Sequence, residues 1–463
     1  MLFSSITFLY YFLPLVLIFY FAVPNKLKNT VLLIFSLVFY GWGEPKLLLL
    51  MALTILIGYI SAVVMAKTDS KKLKKTVFIV SITVIFGFLA YFKYASFFVR
   101  NFAAITGISA PVLNIALPIG ISFYTFQIIS YVIDVYWGRE KCEKNIIDFA
   151  AYVTMFPQLI AGPIVRYSDI SLQMKERKFS SESLYLGFRR FVYGLAKKVL
   201  IANAFGALCS DFRGADAKSV AFYWVYAIAF TLQIYFDFSA YSDMAIGLGK
   251  ILGFDFIENF NYPYISKSIT EFWRRWHMSL SSWFRDYVYI PLGGNRVSVA
   301  RHVFNIAVVW MLTGFWHGAE WNFVIWGVYF AVFLMLEKYV LKNVMEKIPS
   351  VIRHIAVMTV IVISFVIFNA NGLSGAVSDI SAMLGLSGFP LWSSETAYFI
   401  RSYAVMLAVG VVGCLPVVKK TFVKAERFTV IRVLEPIVLV ALLLVSTAYL
   451  VDGSYNPFLY FRF

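Results

Sequence analysis

Apolar stretches of roughly twenty residues recur along this chain, separated by short polar breaks, and no other feature restricts its folding as strongly. A helix of that length crosses a hydrocarbon core about 30 Å thick while satisfying its own backbone N–H and C=O groups. The composition agrees. Of 463 residues, 60% are hydrophobic and only 14% are charged, where a soluble globular domain carries about 25% charged residues. The pattern predicts an all-α polytopic membrane protein with about eleven transmembrane helices plus re-entrant and interfacial pieces, forming one integral-membrane domain over residues 1–463. The first run, Ile6–Val23, follows no basic segment and precedes no small-residue cleavage site, so it reads as a retained span.

A formal net charge of +16 would suit a nucleic-acid binder. Here the basic residues sit in short loops between apolar runs rather than along one soluble face, and retention of positive loops on the cytoplasmic side accounts for them. No nucleic-acid partner is expected. Loop charges alternate from Lys26 and Lys28, to Glu44 and Lys46, to the cluster from Lys67 to Lys75, which places the N-terminus outside and the lysine cluster inside. The cysteines, Cys142, Cys209 and Cys414, have neither metal-ligand nor redox spacing and are read as structural. No bound metal or cofactor is expected.

Several local patterns refine this plan. The segment Ile146–Val165, containing Phe156-Pro157-Gln158-Leu159-Ile160-Ala161-Gly162-Pro163, has basic flanks on both sides and predicts a re-entrant hairpin rather than a full crossing. Asp237 and Asp243 lie six residues apart in an apolar context and read as ion-pairing struts in preference to acid catalysts. Gly247, Gly249 and Gly253 have the wrong spacing for a phosphate loop. From Ile265 to Arg301 tryptophans and cations alternate at helical spacing, which predicts an amphipathic helix lying in the membrane interface.

Four histidines are present. His302 and His354 neighbour Arg301 and Arg353 and read as solvated; His277 and His317 differ. His317 falls between two long apolar runs, where retaining an imidazole is costly and hints at function. Gly314 and Gly318 flank it and suggest a gap in which a ligand could approach. An imidazole titrating near neutrality suits deprotonation of a hydroxyl, and a second one in the same cavity could orient the first or bind the donor. No G-x-S-x-G elbow and no His-x-x-x-His spacing occur, so serine-esterase chemistry and zinc chemistry are unsupported.

Taken together, Arg274-Arg275-Trp276-His277, Trp283-Phe284-Arg285-Asp286-Tyr287, Pro291-Leu292-Gly293-Gly294-Asn295-Arg296 and, forty residues after His277, Gly314-Phe315-Trp316-His317-Gly318 resemble the membrane-bound O-acyltransferases, in particular their bacterial alginate O-acetyltransferase branch. The opening Met1-Leu2-Phe3-Ser4-Ser5, the stretches Phe39-Tyr40-Gly41-Trp42-Gly43 and Phe156–Ile164, and the ending Asn456-Pro457-Phe458-Leu459-Tyr460-Phe461 share the resemblance. It implies that His317 and His277 are the catalytic pair, with His317 either a general base or a transient acyl carrier. It further implies O-acetylation of an extracellular or cell-wall polysaccharide in the bacterial inner membrane, with acetyl-CoA or an acyl-carrier thioester as cytoplasmic donor and a separate extracytoplasmic acetyltransferase as partner. Trp273, Arg274, Arg275 and Arg285 are expected to form the donor's vestibule, because guanidinium groups bind phosphate bidentately; anchoring to anionic lipid would use the same residues. A transporter or flippase without bond-forming chemistry is the alternative, although the chain shows no internal repeat of broken helices.

Overall fold

The computed structural model describes residues 1–109, 111, 113, 115–453, 456 and 459. Among these, all regular elements are helical, and nine helices are long and apolar enough to cross a membrane. The chain forms two compact units, one of Met1–Phe191 with Ser242–Ile257 and one of Val192–Tyr241 with Glu258–Phe463. Of the closing motif, Pro457, Phe458, Tyr460 and Phe461 lie outside the described residues.

The first unit contains α1 (Phe8–Ala22), α2 (Lys28–Gly41), α3 (Pro45–Lys67), α4 (Lys71–Thr106) and α5 (Ile121–Trp137). Three of the expected spans, α1, α2 and α5, fall short here. The 14 residues of α2 rise about 21 Å, less than the ~30 Å of a hydrocarbon core. In α5 every residue from Ile121 to Asp134 is buried in protein, as befits a helix whose faces carry Gln127, Ser130 and Asp134. Phe3, Phe8, Phe12 and Phe39 pack with Phe156, the ring centroids of Phe12 and Phe156 lying 5.4 Å apart edge to face. Three of the sequence motifs thus meet in one aromatic core.

The expected hairpin consists of α6 (Ile146–Thr154) and the single turn α7 (Phe156–Leu159), which meet at Met155, followed by an extended return to α8 (Tyr167–Lys175). Residues 151–165 are all buried. Nine residues of α6 rise only about 14 Å, too little to cross a bilayer. Buried irregular backbone needs internal partners, and it has them: Phe156 N–H donates to Ser36 Oγ, Gln158 Nε2 to the Tyr152 carbonyl, and Tyr152 OH to the Val165 carbonyl. Gly120, at φ +73°, lets α5 begin against the Leu159 carbonyl, where a Cβ would collide.

Helices α9 (Ser181–Gly214) and α10 (Val220–Ile251) contribute to both units. Their charges are struts, as expected. Within the second unit Asp237 binds Lys198 at 2.7 Å and accepts the Leu459 N–H, and within the first Asp243 pairs with Arg190 at 2.9 Å. Gly247 packs against Gly187 and Phe191, and Gly253, at φ +85°, ends α10, so these glycines serve packing and turning.

The second unit continues with α11 (Ile269–Trp273), α12 (Met278–Phe284), α13 (Val299–His317), α14 (Trp321–Tyr339), α15 (Ser350–Asn369), α16 (Ser394–Gly413) and α17 (Thr429–Val451). The single interfacial helix expected between Ile265 and the turn at Pro291 is replaced by α11 and α12, hinged at His277 in the left-handed region, φ +44° and ψ +52°. Trp273, Trp276 and Trp283 are buried rather than laid on a surface. A periodicity of apolar residues registers burial, and it cannot register a one-residue break between two short helices that share it.

Candidate active site

His277 owes its place to two segments that clamp the hinge. Asn261 N–H donates to the Arg275 carbonyl, Arg275 Nη1 to the Asn261 carbonyl, and Met278 N–H to the Asn259 carbonyl. A non-glycine residue in the left-handed region costs about 1–3 kcal/mol and persists only where its surroundings hold it. The clamp does so, turning the imidazole inward to 1% exposure. There the ring meets Phe238 of α10 edge to face at 4.7 Å and Trp316 of α13 at 5.7 Å.

The side-chain oxygen of Asn259 fixes the protonation of that ring. A backbone N–H can only donate, so the Asn259 atom that Ser279 N–H approaches at 3.3 Å is the oxygen; Ser279 Oγ also donates to it, at 2.9 Å. His277 Nδ1 lies 3.1 Å from the same oxygen and therefore carries the proton. The lone pair is left on Nε2, which is buried and has no hydrogen-bond partner among the described residues. Burial, and after it the neighbouring His317 imidazole, holds the proton affinity of His277 well below the ordinary histidine range. The ring is neutral.

His317 is the last residue of α13. Its Nδ1 lies 2.7 Å from the Thr313 carbonyl, one turn back, and a carbonyl oxygen can only accept. Nδ1 is thus the protonated nitrogen, and the lone pair of the neutral ring is on Nε2. Trp316 at 4.9 Å, Trp326 at 4.9 Å and Phe368 at 5.5 Å surround it. The indole N–H groups of Trp326 and of Trp273, which packs edge to face on Trp326, are buried without an acceptor among the described residues. Two imidazoles packed on the Trp316 indole and ringed by Phe238, Trp326 and Phe368 form the aromatic chamber of this candidate site.

The sequence model of the membrane-bound O-acyltransferase family matches residues 144–378, which include both histidines. The chain belongs to the membrane-bound O-acyltransferase family. It is 42% identical over 396 residues to a Pseudomonas aeruginosa protein named "Probable alginate O-acetylase AlgI", covering 84% of this chain and 76% of that one. A protein of the same name from Azotobacter vinelandii is 36% identical, with both chains covered throughout. The peptidoglycan O-acetyltransferase of Helicobacter pylori is 34% identical over 87% of this chain and 83% of its own length. The protein is a membrane-embedded O-acyltransferase, as the motifs imply, and the transporter alternative is set aside.

In this O-acyltransferase the remaining expected site residues stand in different surroundings. Trp273 sits in the core among Trp310, Trp326 and Phe330. Arg275 is engaged by Glu271 at 2.9 Å and by the Asn261 carbonyl, which makes it part of the clamp behind His277. Arg274 is exposed, and Arg285, also exposed, pairs with the adjacent Asp286.

Two further expectations are corrected. Gly314 and Gly318 leave no gap for a ligand: a Cβ on Gly314 would strike the Phe323 carbonyl and one on Gly318 the Phe323 ring, so both serve the close packing of α13 on α14. His302 is not solvated. It is buried between the hydroxyls of Tyr289, 2.7 Å from Nε2, and Tyr339, 2.5 Å from Nδ1. His354 is half-buried, with Nδ1 3.0 Å from the Ser266 carbonyl. Asn259 is the site residue that the sequence reading missed. Eighteen positions separate it from His277, and the only local signal is Pro263, which marks a turn between them.

Proposed function

We propose that the protein transfers an acetyl group from a cytoplasmic thioester, acetyl-CoA or an acyl-carrier thioester, to hydroxyls of an extracellular or cell-wall polysaccharide in the bacterial inner membrane, working with a separate extracytoplasmic acetyltransferase. The observation that carries this reading is the pair of buried imidazoles, each with Nδ1 held by an oxygen acceptor, packed on one indole. In the proposed step the hydroxyl gives its proton to His317 Nε2 as its oxygen bonds to the thioester carbonyl carbon. The C–S bond then breaks, and the leaving thiolate takes the proton back from the imidazolium. The Thr313 carbonyl steadies that imidazolium through Nδ1–H, and the buried indole N–H groups of Trp326 and Trp273 are donors on hand for the carbonyl oxygen as it gains charge. A dry chamber strengthens each of these interactions and keeps the thioester from hydrolysis.

The relatives named for alginate and peptidoglycan acetylation support a polysaccharide acceptor. Protein in proteoliposomes, given radiolabelled acetyl-CoA on one face and uronic-acid or peptidoglycan oligosaccharides on the other, should label the oligosaccharide as ester. Retention of all label on the donor, with both oligosaccharides and with the partner acetyltransferase added, would contradict the proposal.

A further inference from the structure

Asn259 is fully buried and stands outside the stretch that carries His277. Its one side-chain oxygen takes three donors, Ser279 N–H, Ser279 Oγ and His277 Nδ1, while its backbone carbonyl takes Met278 N–H on the other side of the hinge. The residue therefore ties down both the backbone and the ring of His277. We propose that Asn259 is a positioning residue of the acyl-transfer site: its amide oxygen holds the His277 proton on Nδ1 and so keeps the Nε2 lone pair bare as a hydrogen-bond acceptor in that site. The second half of this assignment rests on the acyl-transfer reading given above.

The choice of an amide matters. A carboxylate in the same place would stabilise the imidazolium, put a proton on Nε2 and abolish the acceptor. Among the described residues, the other groups that meet the ring are uncharged or a second imidazole: Phe238 from α10, Ser279 from α12, and Trp316 with His317 from α13. None of these supplies a negative charge, so the tautomer depends on Asn259 and the neutrality on its being an amide. An outer partner of this kind, when removed, changes activity by about 10–100-fold.

The chain has only four histidines, so protein labelled with nitrogen-15 histidine gives few imidazole signals, and a His277→Gln sample assigns those of His277. In the parent protein this ring should show a protonated Nδ1 and a bare Nε2. In Asn259→Ala it should populate both tautomers, and transfer should fall ~10–100-fold in kcat with the donor KM unchanged. Asn259→Asp retains the shape and the acceptor oxygen. It should show both ring nitrogens protonated at neutral pH, with the acid limb of the pH profile moved to higher pH, because a raised histidine pKa keeps the ring charged until more alkaline conditions. An unchanged tautomer in Asn259→Ala, or a pH profile for Asn259→Asp that superimposes on the parent's, would overturn the proposal. The nitrogen signals require no substrate. A parent protein inactive with every donor, yet with an Asn259-dependent tautomer, would therefore refute the acyl-transfer reading and uphold the positioning role.

Discussion

His302 and His317 ride on the same helix, fifteen residues apart, about 22 Å along its axis, and both are buried. Around His302 the hydrogen bonding is complete: one tyrosine hydroxyl faces each ring nitrogen, with Lys338 3.4 Å from Nε2. In the chamber where His317 meets Trp316 and Trp326, the neighbouring His277 keeps a lone pair with no donor, and two indole N–H groups keep protons with no acceptor, among the described residues. Buried polar groups are ordinarily satisfied, because each one left without a partner costs about 1–3 kcal/mol. The contrast teaches that burial of an imidazole does not by itself mark a reactive site. Unused hydrogen-bonding capacity beside the ring is what separates the His317 region from the surroundings of His302.

Substitutions can break this comparison from either side. After His317, the largest effect is expected at His277. Replacing it with Gln removes Nε2 and should lower acyl transfer by about 100-fold, while the protein purifies and melts like the parent; labelled acetyl transfer and a thermal melt in detergent measure the two. The opposite pattern is expected at His302. His302→Phe removes the partner of two tyrosine hydroxyls and should cost roughly 1 kcal/mol of stability, read as a lowered melting temperature, with kcat/KM unchanged. If His302→Phe lost transfer activity without losing stability, the distinction between the two regions would fail.

The smallest effect sharpens the chamber's outer boundary. Arg274 and Arg285 are exposed guanidinium groups, whereas Arg275 is engaged by Glu271 and Asn261. Arg274→Ala and Arg285→Ala should each raise the donor KM a few-fold, about what one screened phosphate contact contributes, and the change should shrink as salt rises. Arg275→Lys should leave the donor KM unchanged and lower kcat through the loosened clamp. Initial-rate kinetics at two ionic strengths separate these outcomes.

The helical, membrane-spanning character was legible in the sequence, and so was the burial of His277 and His317, because apolar run length and a rare residue in an apolar setting are local signals. The struts at Asp237 and Asp243 were legible too, since buried carboxylates need cations and cations were near at hand. What escaped depended on tertiary contact. The hinge at His277 carries no glycine or proline to announce it, and Asn259 acts across eighteen residues of chain. Gly314 and Gly318 misled for a related reason: a glycine permits close approach, and sequence does not say whether a ligand or a neighbouring helix does the approaching.

The central claim is that His317 serves chemistry rather than folding, and His317→Gln tests it most directly, with acetyl transfer and thermal stability measured on the same preparation. Loss of the base should lower transfer by about 10²–10⁴-fold while the melting temperature stays at the parent's value. Full transfer by well-folded His317→Gln protein would contradict the account.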